Sequence, residues 1–275
     1  MLKEYSQYYF QASATLQRIE DAAHGLQFEE RDQAVEVFAA QGVSMSRDHC
    51  RAIALLLDAD LFSESIAVCR SLFELSFDTV WINSADNQTE KLERVYQLEA
   101  DPYFQMNKEV KLFEEDVKSS SPLTSEKKLR QFRQVLDRTM KANPYLTVSP
   151  AQGKVDFKHA PSLAKRMEHD FRLQYYHIYR FMCLFTHPSP MLKELHLQNV
   201  QRNRTADELI EEPLKQVLAY TLLFIEIIAK TAASLMAVYA SDKTDALKKC
   251  CEELFQLTEK ANKGYFGTAE HKKSN

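Results

Sequence analysis

Glycine is scarce. Five occur in 275 residues, at Gly25, Gly42, Gly153, Gly264 and Gly267, against an ordinary usage of about 7%. A phosphate-cradling P-loop, a dinucleotide-binding fingerprint and a nucleophile elbow all need glycines at fixed spacing, and none of these motifs is present. Nucleotide-driven motors, dehydrogenases and α/β-hydrolases are set aside on that ground. Histidine is spaced just as unhelpfully for metal. His24, His49, His159, His169, His177, His187, His196 and His271 form neither an H-x-x-x-H nor an HExxH pattern, so no metal and no cofactor is expected.

Cysteine excludes a disulfide framework. Cys50, Cys69, Cys183, Cys250 and Cys251 are odd in number and lack any C-x-x-C pair, which points to a reducing compartment and to thiols used as small core hydrophobes. The N-terminal "MLKEYSQYYFQAS" has no uninterrupted apolar run, so it does not read as a signal peptide. A cytoplasmic location is expected. The most apolar segment, "VLAYTLLFIEIIAKTAASLMAVY" (217–239), is long enough to span a bilayer but carries Glu226 and Lys230 at its middle. Each is costly in lipid, and their Glu-to-Lys order at i,i+4 suits a helix in water. The segment is therefore expected inside a bundle, with no membrane partner.

Net charge is −4, so the chain as a whole does not attract nucleic acid, and any such binding needs a local basic patch. Hydrophobic residues at 45% and charged residues at 27% are ordinary for a globular chain. No alternating β pattern and no Asn-Gly or Asp-Gly hairpin signal occurs. Apolar spacing is helical instead, as in 125–142, where Leu129, Phe132, Leu136 and Met140 recur at three- and four-residue steps behind Ser125 as N-cap.

The expected fold class is all-α, a multi-helix bundle. Helices are expected near 2–24, 28–40, 44–60, 62–85, 87–99, 103–118, 125–142, 162–187, 206–240 and 242–262. Residues 142–161, with Pro144, Pro150, Gly153 and Pro161, form the one long irregular connection, and the tail from Lys263 is expected to fray. The sequence divides into N-terminal helices (1–42), a helical core (43–240) and a C-terminal helix with its tail (241–275), within a single domain overall.

Two segments carry the chemistry. In "SESIAVCRSLFELSFDTVWI" (63–82), Arg70 and Glu74 stand one turn apart on an otherwise apolar helix. Charges there must be paired or line a polar pocket. Either the pair is an internal salt bridge tying down a neighbouring helix, or Arg70 and Glu74 shape a site in which the guanidinium meets an anion. In "HIYRFMCLFTHPSP" (177–190), Arg180 and His187 are two helical turns apart, on nearly the same side of one helix. Pro188 restricts the residue before it and stops the helix, leaving His187 at a C-terminus where the dipole favours imidazolium. Such a histidine can exchange protons near neutral pH. The alternative is a histidine that caps carbonyls beside an arginine in a surface ion pair.

An Arg followed after six residues by a His, "R-FMCLFT-H" (180–187), late in an all-helical chain, resembles the signature of the HEPN superfamily. "CRSLFE", the downstream Trp81 and "FTHPSP" are also similar to a group of bacterial helical proteins with an Arg-x-x-x-Glu helix and a late His-Pro-Ser motif. The resemblance spans roughly 40–240. It implies an HEPN-like bundle with additional N- and C-terminal helices. It further implies a metal-independent ribonuclease of toxin–antitoxin or anti-phage defence systems, with two protomers sharing a cleft and an antitoxin or other defence protein as possible partner. On this resemblance His187 is the acid/base and Arg180 the phosphate stabiliser, with Arg70, Glu74, Tyr179 and Ser189 supporting the pocket. One departure is Phe181, where nucleases of the superfamily often carry a polar residue. RNA contact is assigned to Lys127, Arg130, Tyr176, Arg202 and Arg204, from the basic helix at 126–141, the Arg/Asn stretch after the motif and the tyrosines just before it. The rival function is a non-catalytic helical binding or regulatory protein, in which Arg70–Glu74 is a structural bridge and His187 a cap.

Overall fold

The computed structural model describes residues 3–26, 33–99, 130, 134, 147–148, 155–156, 160–167, 172–186 and 206–270. The fold is an all-α multi-helix bundle. Its helices are α1 (Lys3–Ala23), α2 (Ala34–Asp58), α3 (Phe62–Asn83), α4 (88–99), α5 (Leu163–Arg166), α6 (172–186), α7 (Ala206–Met236) and α8 (Thr244–Glu270). Contacts group the residues into two compact units, Met1–Trp81 with Leu163–Asn275, and Ile82–Ser162. The N-terminal helices, the core helices α3 and α6, and the C-terminal helix thus share one packed unit, which crosses the three segments drawn from the sequence.

Within the first unit α1 packs on α2, α7 and α8, and α7 packs on α2 and α8. Tyr9, Leu16, Ile53, Phe73 and Phe224 are fully buried between these helices. The buried Tyr9 hydroxyl donates to the Leu218 carbonyl at 2.7 Å, as a buried phenol must to avoid an unmet polar group. Phe224 on α7 sits 4.5 Å from the Phe73 ring and 5.1 Å from the Phe77 ring, so three rings lock α3 to α7. Pro213–Met236 is long and apolar enough to cross a membrane, but 67% of its most apolar window is buried in the bundle. Lys230 pairs with Glu226 on that helix, with Lys230 reaching solvent while Glu226 stays buried.

In the second unit, α4 begins where the sequence places it. Asn87 Oδ1 accepts from the Glu90 N–H at 2.9 Å, and Glu90 Oε2 accepts from the Asp86 N–H at 3.3 Å. This reciprocal arrangement satisfies donors that the first helical turn leaves open.

The structure departs from the sequence-based expectation in four places. Gly42 does not divide two helices: α2 runs through it, and a Cβ there would meet Ile228 at an ordinary 3.5 Å. Glycine costs about 1 kcal/mol in a helix interior, which the packing of α2 on α7 outweighs. The span 162–187 is not one uniform helix: α5 ends at Arg166, and α6 consists of Arg172–Gln174, a π turn at Tyr175–Tyr179 and an α segment at Arg180–Thr186. Residues 142–161 contain a two-residue antiparallel ladder pairing Thr147 with Asp156 and Val148 with Val155, built on β-branched residues on either side of Pro150 and Gly153. The tail does not end its helix near 262; α8 continues through Gly264 and Gly267 to Glu270. The expected helix 103–118 lies outside the described residues, and of 125–142 only Arg130 and Gln134 are described, both helical and exposed.

Helix α2 stops without glycine. Asp60 takes φ 59°, the Leu61 N–H returns to the Leu56 carbonyl at 2.8 Å, and the Asp60 N–H returns to Leu57 at 3.2 Å. These two bonds form a Schellman closure with Asp in the left-handed position. A β-branched residue tolerates that backbone poorly. Asp60→Val is expected to lower stability by about 1–2 kcal/mol, read as a fall in the urea midpoint with an unchanged slope.

Candidate functional site

Helix α3 forms because residues 62–83 hold neither glycine nor proline and are dense in apolar side chains. One stripe on it is polar. Arg70, Glu74 and Asp78 follow at four-residue steps, so they line one side of the helix. Two of them meet α6. Arg70 Nε lies 2.9 Å from Glu74 Oε1, the Tyr179 hydroxyl donates to the same oxygen at 2.7 Å, and an Arg70 Nη donates to the Tyr179 oxygen at 3.2 Å. The Arg70 guanidinium carbon is also 5.3 Å from the Tyr179 ring centroid, within cation–π range.

The surroundings favour a neutral Tyr179 and a charged Arg70. Burial, followed by the bond to Glu74, pushes the Tyr179 phenol well above the ordinary tyrosine range, so it stays a neutral donor. Burial works against the charge on Arg70, but the Tyr179 hydroxyl and Glu74 outweigh it and raise its pKa. The result is a closed triangle joining α3 to the middle of α6 across 105 residues of sequence.

The third member of the stripe, Asp78, accepts an ion pair from Arg166 of α5 at 2.8 Å. The Arg166 guanidinium carbon lies 5.7 Å from the Trp81 ring centroid. Sequence reasoning passed over Asp78 and Arg166. The available signal was the four-residue repeat itself, since Asp78 continues the step from Arg70 to Glu74.

Of the residues picked from the sequence, Arg70, Glu74 and Tyr179 are brought together. Arg180 follows Tyr179 directly and is exposed, with its guanidinium carbon 6.0 Å from the ring centroid of Tyr176. Tyr179 and Arg180 therefore point to different sides, the first buried and the second toward solvent. The π turn ends at Tyr179. Such turns insert one residue into a helical circuit and occur often at functional sites. Phe181 is half-buried against the core cluster. Arg130 is an exposed helical residue of the second unit. His187, Ser189, Lys127, Arg202 and Arg204 lie outside the described residues.

The family model for a family of unknown function (DUF5677) matches residues 40–204. The chain belongs to that family. The matched span of the DUF5677 family includes α3, α5 and α6, and with them Arg70, Glu74, Asp78, Arg166, Tyr179 and Arg180. No curated protein and no solved structure matches the chain.

The triangle makes its own prediction. Tyr179→Phe removes one hydroxyl and leaves the ring in place. A hydrogen bond to a charged acceptor contributes about 1.5–3 kcal/mol when buried, and the exposure of Glu74 reduces that toward ~1 kcal/mol. Thermal denaturation is expected to show a loss of that size, while Tyr176→Phe, at an exposed position, leaves the transition unchanged.

Proposed function

We propose that this chain is an HEPN-like, metal-independent ribonuclease, acting as a cytoplasmic, homodimeric toxin or anti-phage defence effector. The observation that carries the proposal is the placement of Arg180. It stands exposed at the start of an α segment, directly after a π turn whose last residue is fastened to α3 by Arg70 and Glu74. A permanent cation so held suits the charge that develops on a phosphoryl group in transition.

RNA supplies its own nucleophile. In the proposed step His187 takes the proton of a 2′-OH, whose oxygen bonds to the adjacent phosphorus while the bond to the 5′-oxygen breaks. The products are a 2′,3′-cyclic phosphate and a 5′-OH, the leaving oxygen receiving its proton from the imidazolium of the partner protomer. Arg180 offsets the added negative charge on the phosphoryl oxygens. Arg70, Glu74 and Tyr179 position the helix, and Ser189 is assigned a supporting role beside them. RNA is the partner on this reading, with Lys127, Arg130, Tyr176, Arg202 and Arg204 as contacts. An antitoxin or another defence protein is the expected regulator.

A second function has one observation in its favour. Arg70, Glu74 and Tyr179 bind one another, as they would in a non-catalytic helical binding or regulatory protein where the triangle is a tie and His187 a helix cap. Chelator-treated protein incubated with RNA separates the two. The nuclease cuts under these conditions, His187→Ala folds normally but cuts slowly, and Arg70→Ala, which also loses the stability of the triangle, cuts slowly even at temperatures where it is fully folded. In the binding protein nothing is cut, and both substitutions act by lowering the melting temperature.

A further inference from the structure

Arg172, Tyr176 and Arg180 follow at four-residue steps along α6, and all three side chains are exposed, Tyr176 to 50%. In a regular α-helix four residues overshoot a full turn by about 40°, so three residues at that spacing fan apart across the surface. Here the π turn Tyr175–Tyr179 lies between the first and the last. A π turn takes more residues per circuit, so the overshoot shrinks and the three side chains fall closer to a line. The contact between the Arg180 guanidinium and the Tyr176 ring, 6.0 Å from carbon to centroid, is one step of that line. The opposite side of the same helix, with Ile178, Tyr179 and Met182, is buried, so the line faces solvent.

We propose that Arg172, Tyr176 and Arg180 form a track for a single nucleic-acid strand, with a base stacked on Tyr176 and phosphates held by the two arginines on either side. Eight residues of helix span about 12 Å, and a strand carries one phosphate per ~3.4 Å of axis when stacked, so at least two phosphates fall within reach. The guanidinium fork suits phosphate oxygens, and an aromatic ring between two cations mirrors a base between two phosphates. Arg172 is the new member, and it extends the track by one four-residue step beyond Tyr176 and Arg180. The inference rests on the nucleic-acid reading of the site but requires no cleavage.

The test is binding of a labelled single-stranded 2′-O-methyl oligonucleotide, which has no free 2′-OH to attack, followed by fluorescence anisotropy at several salt concentrations. Arg172→Gln and Arg180→Gln are each expected to reduce the slope of log affinity against log salt by about 0.7, the value for one lost phosphate contact to a single strand. Tyr176→Ala is expected to weaken binding roughly 5- to 150-fold with an unchanged slope, and Tyr176→Phe to restore it. On an abasic strand of the same length the Tyr176→Ala effect vanishes.

Three outcomes overturn the track: no binding by the wild type, slopes unaltered in both arginine variants, or a duplex bound as tightly as the single strand. The two proposals fail separately. A wild type that binds as described and leaves ordinary RNA uncut removes the nuclease and keeps the track. One that cuts RNA with unaltered slopes in the variants removes the track alone.

Discussion

On the proposed nuclease function, Arg180→Ala is expected to lower the rate of RNA cleavage by about 10²–10³-fold, the cost of deleting one group that stabilises transition-state charge. The substitution is expected to leave the fold intact, because Arg180 is exposed and lies against the half-exposed Tyr176 ring. Melting temperature is accordingly unchanged. Arg180→Lys recovers part of the rate, since an ammonium keeps the charge but loses the two-pronged geometry. The comparison of rate with melting temperature is the informative one. Loss of both together would mean that Arg180 acts through stability.

Phe224→Ala is the largest expected effect on the fold. The side chain is fully buried and touches the Phe73 and Phe77 rings at the junction of α3 and α7. Truncating a buried phenylalanine costs about 3–5 kcal/mol through lost transfer energy and the cavity left behind. For a chain of this size each kcal/mol is worth roughly 2–4 °C, so far-UV circular dichroism should record a fall of roughly 6–20 °C. Phe255→Ala is the control. Phe255 is 44% exposed, and its removal is expected to cost less than about 1 kcal/mol.

Much of the bundle is legible locally. Helix α3 follows from the absence of breakers between Gly42 and Pro102, and α4 begins at Asn87 because Asn and Glu at that spacing satisfy the first turn. What local reasoning misjudged was the weight of single residues. Gly42 reads as a break, yet the contact of α2 with α7 carries the helix straight through it. The π turn leaves no mark in the apolar periodicity, because Ile178, Tyr179 and Met182 still bury at three- and four-residue steps.

The candidate site divides in the same way. That Arg70 and Glu74 pair is readable from their spacing. That Tyr179 closes the triangle depends on α6 lying against α3, and contacts across 105 residues are not written in any short pattern. Asp78 was overlooked for a related reason. Its partner Arg166 sits on a four-residue helix, α5, whose position only the fold supplies.

The most direct test of the central claim is RNA cleavage by His187→Ala beside the wild type, with purified protein, chelator present and equal protein concentrations. A histidine that moves a proton in the rate-limiting step contributes about 10²–10⁴-fold. The account predicts a loss in that range at unchanged melting temperature, with cyclic-phosphate ends on the wild-type product. Equal rates for the two proteins would contradict it.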